Sequence, residues 1–306
     1  MVGLRTVLRR GKRGPAPEDV YRTRSSRGAS YFTSRQQHDD LTVVVRRFPG
    51  RPEVPADAAA RTFVLVHGLG VSSRYFTPLA SELARRGRVF VVDLPGYGSA
   101  PNPRRDVTLA DHAGALAAFL RESGLENPVL VGHSMGTEAV ALVAQRHPDV
   151  TDRIVLMAPT LEPQARTRGR AIRNLLRDAL REPPVVFGIA FVDYVIRCGP
   201  PYLFAQLRHM LADRLEDRLP TMTAHVLVIA GDRDTIVTVD WARSLAALVP
   251  GAEFHVVHGP HVIMHTDPAM IAKHIVDFTD ETAEITGEIP AEPPRETAAE
   301  TPAERA

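Results

Sequence analysis

Short apolar runs alternate along the chain with longer amphipathic ones. The runs at 62–66, 89–92, 129–131, 153–157, 226–230 and 253–257 are brief and rich in β-branched residues, as expected of buried strands. Between them, 77–86, 108–123, 137–145, 240–248 and 268–278 place apolar residues at helical spacing. Thr108 is an N-cap, and Pro148 stops the third helix after Arg146 and His147. Upstream, 29–34 and 41–48 read as an antiparallel hairpin around His38, Asp39 and Asp40. Strands alternating with helices predict an α/β fold: a mostly parallel, eight-stranded sheet flanked by helices.

The alternation breaks once. Residues 159–222, bounded by Pro159 and Pro220, are helical throughout. The segment 171–180 is amphipathic and crowded with arginines, 185–196 is apolar except for Asp193, and 202–215 is again amphipathic. A helical lid inserted after the sixth strand is predicted, over the strand ends where open α/β sheets bind ligands. The predicted organisation is a basic flexible arm (1–27), a first core part (28–158), the lid (159–222), a second core part (223–280) and a disordered acidic tail (281–306).

Composition narrows the classes. The chain has 306 residues, 44% of them hydrophobic, and a net charge of +1, so nothing points to nucleic acid. One cysteine, Cys198, forbids an internal disulfide and is expected to be a small buried residue. No apolar run approaches the roughly 18 residues of a membrane span, and no h-region follows the basic start. A cytoplasmic enzyme acting on a small molecule is expected, with its oligomeric state unread. The arm carries eight Arg and Lys against Glu18 and Asp19, enough for peripheral contact with anionic lipid.

The chemistry centres on Gly132-His133-Ser134-Met135-Gly136, between the strand at 129–131 and the helix that follows. Side chains at either glycine would collide with neighbouring backbone on so tight a turn. The turn lifts the Ser134 hydroxyl clear of the sheet and sets it at a helix N-terminus. Serine needs a base, and the base needs an orienting group. Asp232 and Asp234 follow the strand at 226–230, and His258 and His261 follow the next. Glu162 follows the strand at 153–157. The order Ser134, Asp234, His261 suits this type of elbow.

Over residues 28–280 the sequence resembles the α/β-hydrolase fold family with a helical cap. The matching stretches are His67-Gly68-Leu69-Gly70, Asp93-Leu94-Pro95-Gly96-Tyr97-Gly98, the elbow, Gly231-Asp232-Arg233-Asp234, and His261 seven residues before Pro268. The resemblance implies a catalytic triad of Ser134, Asp234 and His261. It also implies an oxyanion hole from the backbone N–H groups of Leu69 and Met135. It favours Asp234 over Asp232 and Glu162, and His261 over His258. The family usually has glycine before this histidine, whereas this chain has Pro260.

A serine at the elbow, in place of aspartate, implies acyl transfer: a serine esterase cleaving a carboxylic ester, lactone or thioester without metal or organic cofactor. The alternatives are C–C bond hydrolysis, acyl transfer to another acceptor, cofactor-free haloperoxidase or perhydrolase chemistry, and a non-catalytic binding protein. Within the lid, Phe187, Phe191, Phe204 and Met210 are candidates to line an acyl pocket. The same residues could equally pack the lid onto the sheet.

Overall fold

The computed structural model describes residues 21–24, 30–49, 61–179, 188 and 192–286. The strands are β1 (Tyr21–Arg24), β2 (Ser30–His38), β3 (Leu41–Phe48), β4 (Thr62–Val66), β5 (Arg88–Asp93), β6 (Val129–His133), β7 (Arg153–Met157), β8 (His225–Gly231) and β9 (Glu253–Val257). They form one sheet in the order β1-β2-β3-β5-β4-β6-β7-β8-β9. Pairing is antiparallel from β1 to β5 and parallel from β5 through β9.

All eight expected strands are present, joined by a ninth. β1 lies inside the stretch expected to be a flexible arm, where Tyr21 pairs with Thr33 and Arg24 with Ser30. Residues 1–20 and 287–306 lie outside the described residues. The last helix continues to Thr286, into the stretch expected to be a disordered tail.

Helices cover both faces. They are α1 (Thr77–Leu83), α2 (Leu109–Glu122), α3 (Met135–Arg146), α4 (Arg168–Ala179), α5 (Pro200–Ala212), α6 (Leu215–Arg218), α7 (Val239–Ala246), α8 (Ile263–Thr266) and α9 (Pro268–Thr286). Alternation along β4 sends Phe63 and Leu65 into one core, with α1, α8 and α9. Val64 and Val66 enter the other, with α2, α3, α7 and the insertion. Both faces are therefore apolar, which is why the central strands read as continuous hydrophobic runs. At α2, Thr108 and Asp111 form the reciprocal capping box.

Topology fixes where a site can form. From β4 the chain passes to β5 on one side and then returns to β6 on the other. The loops after β4 and β6 thus open at a switch point, where the carboxyl ends of parallel strands leave a crevice. The insertion lies between β7 and β8. It holds α4, α5 and α6, with a π-helical segment, Val192–Cys198, just before α5. Among the described residues, no helix is long and apolar enough to cross a membrane.

Candidate active site

Ser134 sits between β6 and α3 with φ 53° and ψ −124°, a left-handed conformation rare for a residue with a side chain. The tight turn explains both flanking glycines. A Cβ on Gly132 would lie 2.5 Å from the Gly136 carbonyl oxygen, and one on Gly136 would strike the carbonyl of Val66. Ser134 is held by its own amide, which donates to Met157 O at 3.0 Å. The following amide, Met135, is in the first turn of α3, whose N–H groups have no intrahelical acceptor.

Two Asp–His pairs lie on the loops after β8 and β9. Asp234 Oδ2 accepts from His261 Nδ1 at 2.7 Å, and its Oδ1 accepts from the amides of Ile236 and Val237 at 2.7 and 2.9 Å. These two side chains are 1% and 7% exposed. Asp232 Oδ2 pairs with His258 Nδ1 at 2.9 Å, with side-chain exposures of 43% and 65%. Hydrogen bonds from Gly259 and His258 hold the Asp232 carboxyl below its usual range. Only the first pair is shielded from water. Gly231 brings the loops together, since a Cβ there would strike the carbonyls of Gly259 and Pro260.

The loop after β4 is pinned at four points. His67 Nδ1 donates to Gly68 O at 2.8 Å, while its Nε2 accepts from the Leu94 amide at 3.1 Å. An Nε2 that accepts from an amide is unprotonated, and burial holds His67 below its ordinary value. The Gly68 amide donates to Tyr75 Oη at 3.0 Å. Asp93 accepts from the amides of Ser73 and Ser99 at 2.6 and 2.9 Å. Ser72 Oγ donates to Asp193 Oδ2 at 2.5 Å. Gly68 comes close to the nucleophile candidate: an added Cβ would stand 3.0 Å from Ser134 Cβ.

Further contacts tie Ser134 to His261. The ring of His133, the residue before Ser134, packs 4.7 Å from that of His261 between centroids. His133 Nε2 donates to the His261 carbonyl at 2.9 Å, and its Nδ1 accepts from Tyr75 Oη at 2.8 Å.

The insertion contributes residues that the sequence did not assign to the site. Tyr194 covers Gly70, whose φ of +74° a side chain rarely adopts and whose missing Cβ makes room for the ring. Asp193, wholly buried, accepts from Ser72 and pairs with Arg74 at 2.5 Å. Its sequence signal was being the lone polar residue of an apolar run. Tyr75 had no signal, because its short 3₁₀ turn (Ser73–Phe76) lies in a connection.

Phe204, a candidate to line an acyl pocket, is 56% exposed. The buried stripe of α5 runs through Gln206, Leu207 and Met210, and Phe204 falls outside it. Met210 is buried in the core against the sheet. Phe187 and Phe191 lie outside the described residues. Cys198 is buried, and burial pushes its thiol up to about 12. A cavity of about 470 Å³ opens where the 102–106 loop meets the insertion, lined by Asn102, Arg105, Cys198, Tyr202 and Arg208. None of Ser134, Asp234 and His261 lines it.

A mostly parallel sheet with a strained serine elbow after β6 and a buried Asp–His pair after β8 and β9 is the arrangement of the α/β-hydrolase fold, and this chain has that fold. Its residues 61–171 match the family described as alpha/beta hydrolase fold. An uncharacterised protein of Mycobacterium tuberculosis is 26% identical over 260 residues, covering 72% of this chain and 75% of its own. The pimeloyl-[acyl-carrier protein] methyl ester esterase of Vibrio vulnificus is 24% identical, covering 70% and 92% respectively. Among solved structures, the enol-lactonase of Burkholderia xenovorans LB400 superimposes with a TM-score of 0.68 at 22% identity, over 80% of this chain and 99% of that one.

Proposed function

We propose that the protein is a serine hydrolase that cleaves a carboxylic ester, or a related lactone or thioester, through an acyl-enzyme on Ser134. The observation carrying this reading is the buried 2.7 Å bond between Asp234 and His261, on loops that the His133 contact ties to the Ser134 elbow. In this reading His261 Nε2 takes the Ser134 proton as Oγ bonds to the substrate carbonyl carbon. Asp234 keeps the other ring proton on Nδ1 and steadies the imidazolium. The tetrahedral oxyanion is met by the amides of Leu69 and Met135. His261 then protonates the leaving oxygen, and water, deprotonated by the same ring, releases the acid.

Geometry supports the oxyanion donors. A trans peptide is planar, so its C=O and N–H point in opposite directions. His67 holds the Gly68 carbonyl, and thereby fixes the direction of the Leu69 N–H in that peptide. The methyl ester esterase is one relative whose named reaction matches this chemistry. In this reading Tyr194, which lies over Gly70 of the oxyanion loop, meets the acyl group from the side of the insertion. The substrate is a small acyl compound, and the lone buried cysteine suits a cytoplasmic setting.

A fluorophosphonate probe tests the reading. One equivalent should label the intact protein, and Ser134→Ala should abolish labelling. An intact protein that is not labelled, or a variant still labelled, would sink it.

A further inference from the structure

A buried chain of three hydrogen bonds joins the three parts of the proposed site. The Gly68 amide reaches Tyr75 Oη at 3.0 Å, Tyr75 Oη reaches His133 Nδ1 at 2.8 Å, and His133 Nε2 reaches the His261 carbonyl at 2.9 Å. The last two links span 58 and 128 residues of sequence. We propose that Tyr75 and His133 are positioning residues that hold the oxyanion loop, the serine elbow and the general base in one register. The inference rests on the reading of Ser134 as the nucleophile.

The protons admit one arrangement. A backbone amide only donates and a carbonyl only accepts. Tyr75 therefore accepts from Gly68, and its single O–H goes to His133 Nδ1. His133 must then carry its proton on Nε2 and donate it to His261. Both side chains are buried, at 1% and 2% exposure. Burial holds the tyrosine well above its ordinary value, so the donor stays protonated. Burial, with His261 nearby, holds His133 well below its own, so Nδ1 stays an acceptor.

Each end of the chain adjoins a group with a proposed chemical part. Gly68 precedes Leu69, His133 precedes Ser134, and the final acceptor is the backbone of His261 itself. A shift of any one is passed to the others. Phe76 lies edge-on to His133, at 89° between ring planes. A neutral His133 beside His261 also avoids setting two cations in contact when His261 takes the serine proton.

Tyr75→Phe keeps the ring and removes the donor. Misplacement of this kind costs roughly tenfold to a hundredfold in rate. The expected result is such a fall in kcat on a short-chain ester, with KM within about twofold. Fluorophosphonate labelling should slow in parallel, because it needs the base and the oxyanion hole but no deacylation. His133→Gln retains a donor toward the His261 carbonyl and should recover most of the rate that His133→Leu loses. Wild-type kcat and labelling in Tyr75→Phe, whatever its melting temperature, would overturn the proposal.

If that variant does not fold, ¹⁵N NMR of the imidazoles in the intact chain decides. A proton on His133 Nε2 with Nδ1 bare upholds the chain of bonds, and a proton on Nδ1 overturns it. Failure of the hydrolase reading is separately visible, as absent labelling in the wild-type protein.

Discussion

The loops at the strand ends and the helical insertion meet at the 68–73 loop, and they are fixed by different kinds of contact. Ser134, Asp234 and His261 leave β6, β8 and β9, and the first two of these strands are laddered on both sides. Their positions follow from backbone pairing. The insertion instead grips the core through side chains. Asp193 meets Ser72 and Arg74, Tyr202 Oη donates to Pro95 O at 2.7 Å, and Gln206 meets His112 at 3.0 Å and Val107 O at 2.7 Å. Altering a reactive side chain in the first region should therefore change chemistry and spare the fold. Altering an anchor in the second should loosen the insertion and act on the chemistry indirectly.

The largest expected effect breaks the comparison inside the core. Asp234→Asn should lower ester turnover by about 10³–10⁴-fold, the scale set by losing the orienting acid of such a triad. Asp232→Asn should stay within about twofold, since its pair with His258 lies in water, where ion pairs contribute little. The two aspartates share one turn, so damage to the turn would show in both variants. A loss confined to Asp232→Asn would transfer the role to the outer pair.

The same contrast explains what could be read from the sequence. Every core strand announced itself, because a strand buried on both faces has to be apolar throughout. The elbow glycines were legible because backbone crowding forbids side chains there. β1, with the sequence Tyr-Arg-Thr-Arg, offers no apolar alternation and is specified by pairing with β2 alone. In the insertion, helices could be recognised but their facing could not. Phe204 reads like any core aromatic until the neighbours of α5 are known. Tyr75 and His133 act through hydrogen bonds between segments far apart in sequence, and no local pattern encodes such partners.

A smaller effect probes the insertion. Asp193→Ala removes a fully buried carboxylate and strands Arg74. Breaking a buried pair typically costs about 3–5 kcal/mol. Arg74 is 28% exposed and can rehydrate, so a loss of about 1–3 kcal/mol is expected here. Trypsin should then cut faster at the exposed arginines of α4, Arg168 to Arg177. KM for an acyl ester should rise more than kcat falls, because Tyr194, the next residue, loses its hold over Gly70. Unchanged proteolysis together with unchanged KM would show that Asp193 does not anchor the insertion.

The smallest effect is silent at neutral pH and sharpens the comparison under acid. His112 on α2 is fully buried, and its Nε2 donates to Gln206 Oε1 of the insertion. Burial chiefly, with some repulsion from His67 and His209, lowers it to about 4, against the pull of Gln206 and Asp111. Its other nitrogen, Nδ1, has no hydrogen-bond partner among the described residues. Charging the ring would place a proton there without an acceptor. Between pH 6.5 and about 4 the unfolded chain binds this proton and the native chain does not. Stability must therefore fall as pH drops through that window, by on the order of 1–3 kcal/mol from this group. Urea melts at pH 7, 6 and 5 should show a shallower acid slope for His112→Asn than for wild type. Tryptic cleavage in the insertion should rise at pH 5 in the wild-type protein and less in the variant, because the group being charged sits at the junction of α2 and α5. Equal slopes would place the acid sensitivity in the core instead, with His67 and His133, whose values burial also lowers.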